Sequence, residues 1–96
     1  MSTYLIVNVD IKDQTAFEDY VRNVPPIVRK FGGEYLAVSD TPEIIEGKWR
    51  PHRLVLVRFP DPAGAKAFLN APEYRPWKEL RQRITQSDMV LLEGLR

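Results

Sequence analysis

Apolar residues fall on both parities of three short runs in this chain and at helical spacing in two longer ones. In "TYLIVNVDI", residues 3–11, Tyr4, Ile6 and Asn8 alternate with Leu5, Val7 and Val9, so both faces carry apolar groups. That pattern predicts a strand covered on both sides. Asp13 then predicts a helix cap. The stripe Phe17, Tyr20, Val21, Val24, Ile27, Val28 and Phe31 that follows keeps helical spacing without a gap. Pro25 and Pro26 interrupt it, and the loss of two amide donors predicts a kink or break after Val24. Gly32 and Gly33 predict the helix end in left-handed conformations, and "EYLAVS" the next strand.

Beyond Pro42 a short extended piece, "EIIEG", precedes the third strand, "RLVLVRF", residues 53–59, where Leu54 and Leu56 oppose Val55, Val57 and Phe59. Asp61 and Pro62 read as cap and first turn of a helix, and "APEY" with Pro72 restarts a second one. That second piece lines up Tyr74, Trp77, Leu80, Arg81 and Ile84, and should pack mainly through Trp77 and Ile84. Glu79 and Arg83 are spaced for an ion pair. "DMVLLEGL" supplies the last strand, and the order is β-α-β-β-α-β.

This order predicts an α+β, ferredoxin-like fold: a four-stranded antiparallel sheet with right-handed crossovers placing all helices on one face. The opposite face should then be polar, yet strands one, three and four carry Ile, Leu, Val or Met on both parities. No segment is left over to cover it. A second copy related by a two-fold axis is the simplest cover, which predicts a homodimer through facing sheets, burying about 800 Å² per partner.

The length of 96 residues suits one domain, residues 1–96, removing only roughly 60–65% of the unfolded surface from water. Extra burial in a dimer would matter for such a chain. Fourteen Lys and Arg against thirteen Asp and Glu leave a net charge of +1, so no field draws nucleic acid or an anionic membrane. No apolar run reaches the length of a membrane span, and "MSTYLIVNVD" lacks the basic start of an export signal. With no cysteine, thiolate catalysis, disulfides and Cys-bound metal are excluded. The expectation is a cytoplasmic protein with neither nucleic-acid nor membrane partners.

"FGGEYLAV", "IIEGKW", "LVLVRFP", "NAPEY" with Arg81 seven positions past Tyr74, and "VLLEG" occur together and in order over nearly the whole chain. In this combination the sequence resembles domain of unknown function 1330, within the dimeric α+β barrel superfamily. The resemblance implies the facing-sheet dimer and no established activity. The chain departs from the family in carrying Arg58 where an acidic residue usually precedes the phenylalanine of the third strand. Any chemistry resting on that carboxylate is then lost or altered. The wider superfamily includes cofactor-independent oxygenases, lactone isomerases and haem-degrading enzymes, some using a first-strand asparagine with a tryptophan nearby. Asn8 and Trp77 match that pair in part. A haem ligand is missing, because residues 61–85 contain no histidine, so no cofactor is expected.

Candidate chemistry is sparse. His52 is a candidate general base, with Glu46 to orient it, but it has no paired nucleophile. His52, Glu43 and Glu46 have no spacing that forces a metal site. Catalytic candidates are therefore His52, Arg58 and Asn8. Ligand-binding candidates are Asn8, Trp49, Arg58, Tyr74, Trp77 and Arg81, grouped on the expectation that strands one and three run parallel and bring Asn8 and Arg58 together. The competing structural reading pairs Arg58 with Glu34 or Glu93 and gives Asn8 to a backbone group. Trp49 packs either at the dimer edge or in a cleft. Two functions fit: a small-molecule-binding homodimer with cofactor-independent isomerase or oxygenase-type chemistry, or a non-catalytic interaction or stress-associated barrel. In the second, side chains should fill the space between sheet and helices.

Overall fold

The computed structural model describes residues 2–95. The elements are β1 (Thr3–Ile11), α1 (Gln14–Lys30), β2 (Glu34–Ser39), β3 (Arg53–Phe59), α2 (Pro62–Leu69), α3 (Arg75–Ile84) and β4 (Thr85–Glu93). The strands form one sheet in the order β2-β3-β1-β4, antiparallel at every pairing. This is the ferredoxin-like arrangement, with the second helical segment split in two.

Parity decides the layers. Thr3, Leu5, Val7 and Val9 are buried against Phe17, Val24 and Val28 of α1 and Ala65 and Phe68 of α2. Val55, Val57 and Phe59 lie opposite them on β3 and share that face. The other parity forms the open face. Across it runs the row Ala37, Leu56, Ile6 and Val90, flanked by Ser39, Leu54, Asn8 and Asp88 on one side and Glu34, Arg58, Tyr4 and Leu92 on the other. An apolar centre with polar groups in the flanking rows is the anatomy of a protein contact surface.

Local chemistry sets the helix ends. The Asp13 carboxylate accepts from the Ala16 amide at 3.1 Å, and the Asp61 carboxylate from that of Gly64 at 2.8 Å. At the end of α1 the Gly33 amide reaches the Val28 carbonyl at 2.9 Å and the Gly32 amide that of Arg29 at 3.0 Å. That is a Schellman closure, and it needs the left-handed φ of 89° at Gly32 alone. Gly33 answers to packing instead. A Cβ there would sit 2.4 Å from Val28 Cγ1 and 2.9 Å from Phe59 Cζ. Gly33→Ala is expected to lose about 1–3 kcal/mol in urea denaturation, as overpacked cores do.

Several expectations need correction. The helix α1 runs unbroken through Pro25 and Pro26. The carbonyls that lose their donors belong to Val21 and Arg22, both exposed and so open to water, while Val24 and Val28 anchor the helix on either side. "EIIEG" joins no strand; it lies in the long loop of the β2–β3 hairpin. α3 begins at Arg75, with Pro76 rather than Pro72 in its first turn. Among the described residues Glu79 pairs with Arg75 at 3.7 Å, not with Arg83. Both partners are exposed, so neither direction is strongly enforced. Finally, Ile84 is buried as expected but Trp77 is only half-buried, and the other buried positions are Arg81 and, immediately before the helix, Tyr74.

Candidate functional site

Between the helices and the covered face of the sheet lies a cavity of ≈ 250 Å³. Its floor is apolar, from Leu5, Val7, Val9, Val55 and Val57. Val21, Arg29 and Val38 also line it and are exposed, which places its mouth between α1 and the edge strand β2.

Several elements bring polar groups to this space. Tyr20 extends from α1 and Tyr74 from the turn before α3, and their hydroxyls share a hydrogen bond of 2.6 Å. Arg81, two helical turns beyond Tyr74, donates from Nε to the Tyr74 hydroxyl at 3.3 Å. Tyr74 is held by ring contact with Phe68, centroids 4.3 Å apart, and is 1% exposed. Burial pushes the Tyr20 phenol far above its ordinary pKa, and the neighbouring Tyr74 adds to the rise while the Arg81 charge opposes it. Tyr20 therefore stays protonated and acts as a hydrogen-bonding group rather than a base. Tyr35, on β2, is pushed up to about 12 by burial and by Tyr74, with Arg29 and Arg53 pulling the other way. Arg53 lies over the Phe17 ring at 5.7 Å and pairs with Asp40 at 2.8 Å.

Of the residues singled out in the sequence, Tyr74 and Arg81 line this cavity, and Asn8, Trp49, His52, Arg58 and Trp77 do not. Asn8 and Arg58 both face the open side of the sheet, but β1 and β3 are antiparallel, contrary to the expected parallel pair. Crossovers make β1 and β2 parallel, and β3, lying between them, must reverse. Asn8 stands opposite Leu54 and Arg58 opposite Tyr4, which separates them by about 13 Å along the strands. Arg58 pairs with Glu34 at 3.1 Å. Asn8 Oδ1 accepts from the His52 amide at 2.8 Å and so pins the end of the hairpin loop. The acid beside His52 is Asp10, 3.7 Å from Nε2, rather than Glu46. A hydrogen bond from Lys12 holds the Asp10 carboxyl below its usual value, with a smaller contribution from His52.

Trp49 is 61% exposed on the β2–β3 loop. Trp77 packs at the margin of the core, on the helix side, so Asn8 and Trp77 lie on opposite sides of the sheet. Sequence reasoning passed over Tyr20, Tyr35, Arg29 and Arg53. The readable signal was a tyrosine where the α1 stripe could have taken phenylalanine, since a buried hydroxyl needs a partner. Among the described residues no three His, Cys, Asp or Glu side chains gather in reach of a metal ion, and no helix is long and apolar enough to cross a membrane.

Known structures share this fold. RPA0582, a protein of unknown function from Rhodopseudomonas palustris, superposes with a TM-score of 0.82 at 17% identity, over 99% of this chain and 83% of that one. SnoaB, a cofactor-independent oxygenase from Streptomyces nogalater, gives 0.71 at 11% identity, over 99% and 94% of the two chains. A dimeric ferredoxin-like protein of unknown function from Jannaschia sp. CCS1 gives 0.70 at 15%, over 98% and 100%. At these identities the likeness speaks to the fold alone. No curated protein matches the chain. The family profile, however, spans residues 2–95, and by that match the chain belongs to the family described as domain of unknown function, DUF1330.

Proposed function

We propose that this chain is a cytoplasmic homodimer, joined through its open sheet faces, that binds a small organic molecule in the cavity between sheet and helices, with cofactor-independent isomerase or oxygenase-type chemistry. The observation that carries the reading is the cavity itself. Apolar walls and a few convergent polar groups are the usual make-up of a small-molecule site, and at ≈ 250 Å³ the ligand is small. The resemblance in fold to a cofactor-independent oxygenase supports the choice of chemistry.

The dimer draws support from side chains that one chain leaves exposed. Val90 and Leu92 are 57% and 50% exposed on the open face, and Ile45 and Trp49 stand out on the adjoining loop. Asn8, Arg58 and Trp49 then serve the rim of the contact, and His52 lies beside it.

A second reading, binding without turnover, is favoured by the lining's lack of carboxylate and imidazole, and by a Tyr20 that stays protonated. The two separate by experiment. Saturation-transfer NMR with one- and two-ring aromatic compounds should show binding to the wild type and none to Val38→Trp, which plugs the mouth from an exposed edge-strand position at unchanged melting temperature. Binding that survives the plug sinks the cavity reading. Ligand-dependent oxygen uptake, or exchange of a carbon-bound proton with solvent, then supports an enzyme; bound compounds that undergo neither support binding alone.

A further inference from the structure

We infer that the ligand of this cavity is an anion, specifically a small ring-bearing molecule with a carboxylate or an equally delocalised oxyanion. The inference rests on the small-molecule reading of the cavity given above. Its basis is a local charge imbalance that the whole chain does not have. The chain is nearly neutral, at +1, yet the cavity is lined by Arg29, Arg53 and Arg81 and by no aspartate or glutamate.

The three cations differ in how they are balanced. Arg53 has Asp40 as its partner. Arg29 stands exposed at the mouth, where water screens it. Arg81 is the anomaly. It is 8% exposed, takes part in none of the ion pairs among the described residues, and spends its Nε hydrogen on the long bond to Tyr74. A guanidinium has five donors, so four are left for other partners. The terminal nitrogens of Arg81 have no protein partner among the described residues yet are not fully buried, so they open onto the cavity, and a guanidinium so little hydrated gains from an acid placed there. The protein supplies no acid in the lining, and an anionic ligand would.

The surrounding groups fit that role. Guanidinium binds carboxylate through two parallel hydrogen bonds, a match that a lysine could not make. Tyr20 stays protonated, so hydrogen-bond donors rather than competing negative charges surround the head group. The valine and leucine floor takes the ring. A cavity of about 150 Å³ already holds benzene, so ≈ 250 Å³ leaves room for a substituted ring.

The test compares 2-naphthoate with its neutral isostere 2-naphthamide by titration calorimetry on the full chain at pH 7. The carboxylate is expected to bind at least about tenfold tighter, a gap within the reach of one charge-assisted contact. In Arg81→Met that preference should vanish, with the carboxylate falling to the affinity of the amide. The variant should melt at or above the wild-type temperature, because a buried cation without an acid partner is replaced by an apolar chain of similar length. A purely structural Arg81 would instead lower the melting temperature and leave the ligand preference alone. Equal binding of the two compounds to the wild type overturns the anion inference while the cavity reading stands. Failure of both to bind overturns the cavity reading as well. The wild-type comparison needs no variant to fold.

Discussion

Leu56→Asp is expected to convert a dimer into a folded monomer. Leu56 sits in the central row of the open face, beside Ile6 on β1 and Ala37 on β2. In the isolated chain that face meets water, so the new carboxylate is solvated and the covered core is untouched. In a facing-sheet dimer the same carboxylate would be buried in an apolar layer, and the two-fold axis would bury a second one with it. Leaving a buried charge unpaired costs about 3–5 kcal/mol, so even one such penalty weakens association about a thousandfold. Sedimentation velocity over a concentration series reads the change directly, and circular dichroism checks that the chain still folds. A variant that sediments as the wild type does would mean that any self-association uses another surface. A loss of folding along with the dimer would mean that the contact is part of the domain's stability, and melting would then depend on protein concentration in the wild type.

What the sequence made legible was whatever local chemistry decides. Asp13, Asp61 and Gly32 act within a turn of their own positions, and the structure places them as helix start, start and stop. The surplus of apolar residues on both strand parities is likewise a property of each strand alone. The failures came where distant segments decide. Whether Pro25 and Pro26 break α1 depends on what their neighbours bury, and Val24 and Val28 sit deep enough to carry the helix through. The direction of β3 relative to β1 follows from the path of the whole chain, and mistaking it placed Arg58 beside Asn8.

The candidate site was legible in one half only. Tyr74 and Arg81 stood out as polar groups in the apolar stripe that runs from the turn before α3 into the helix. Their third partner, Tyr20, lies 54 positions from Tyr74, and no spacing rule connects them. The crowded "EGKWRPHR" loop drew attention because its charged and aromatic residues are contiguous. In the fold the stretch up to His52 lies away from the cavity and only Arg53 joins the lining, whose polar groups come from α1, β2, β3, the turn before α3 and α3 itself. Contiguity in sequence pointed to the rim, and convergence in space made the pocket.

The largest loss of stability is expected at Phe59, and it connects the core to the cavity. Phe59 is 0% exposed, stacks on Phe68 with centroids 6.1 Å apart, and presses on Gly33 from the end of β3. It also lines the cavity. Phe59→Ala should cost about 3–5 kcal/mol, a large share of the ~5–15 kcal/mol that holds a domain together. Truncation also removes one of the two obstacles to a side chain at residue 33. The cost of Gly33→Ala should therefore shrink in the Phe59→Ala background without vanishing, because Val28 Cγ1 would still lie 2.4 Å from the added Cβ. A double-mutant cycle in urea reads that coupling, expected at about 0.5–3 kcal/mol for residues in contact. Additive losses would show that Gly33 answers to α1 alone. The same truncation enlarges the cavity beside Phe68, so in Phe59→Ala the preference among ring-bearing ligands should move to bulkier ones even as the protein weakens. A size preference that does not move would place the ligand nearer the mouth, against Val38 and Arg29, and away from the Phe59 ring.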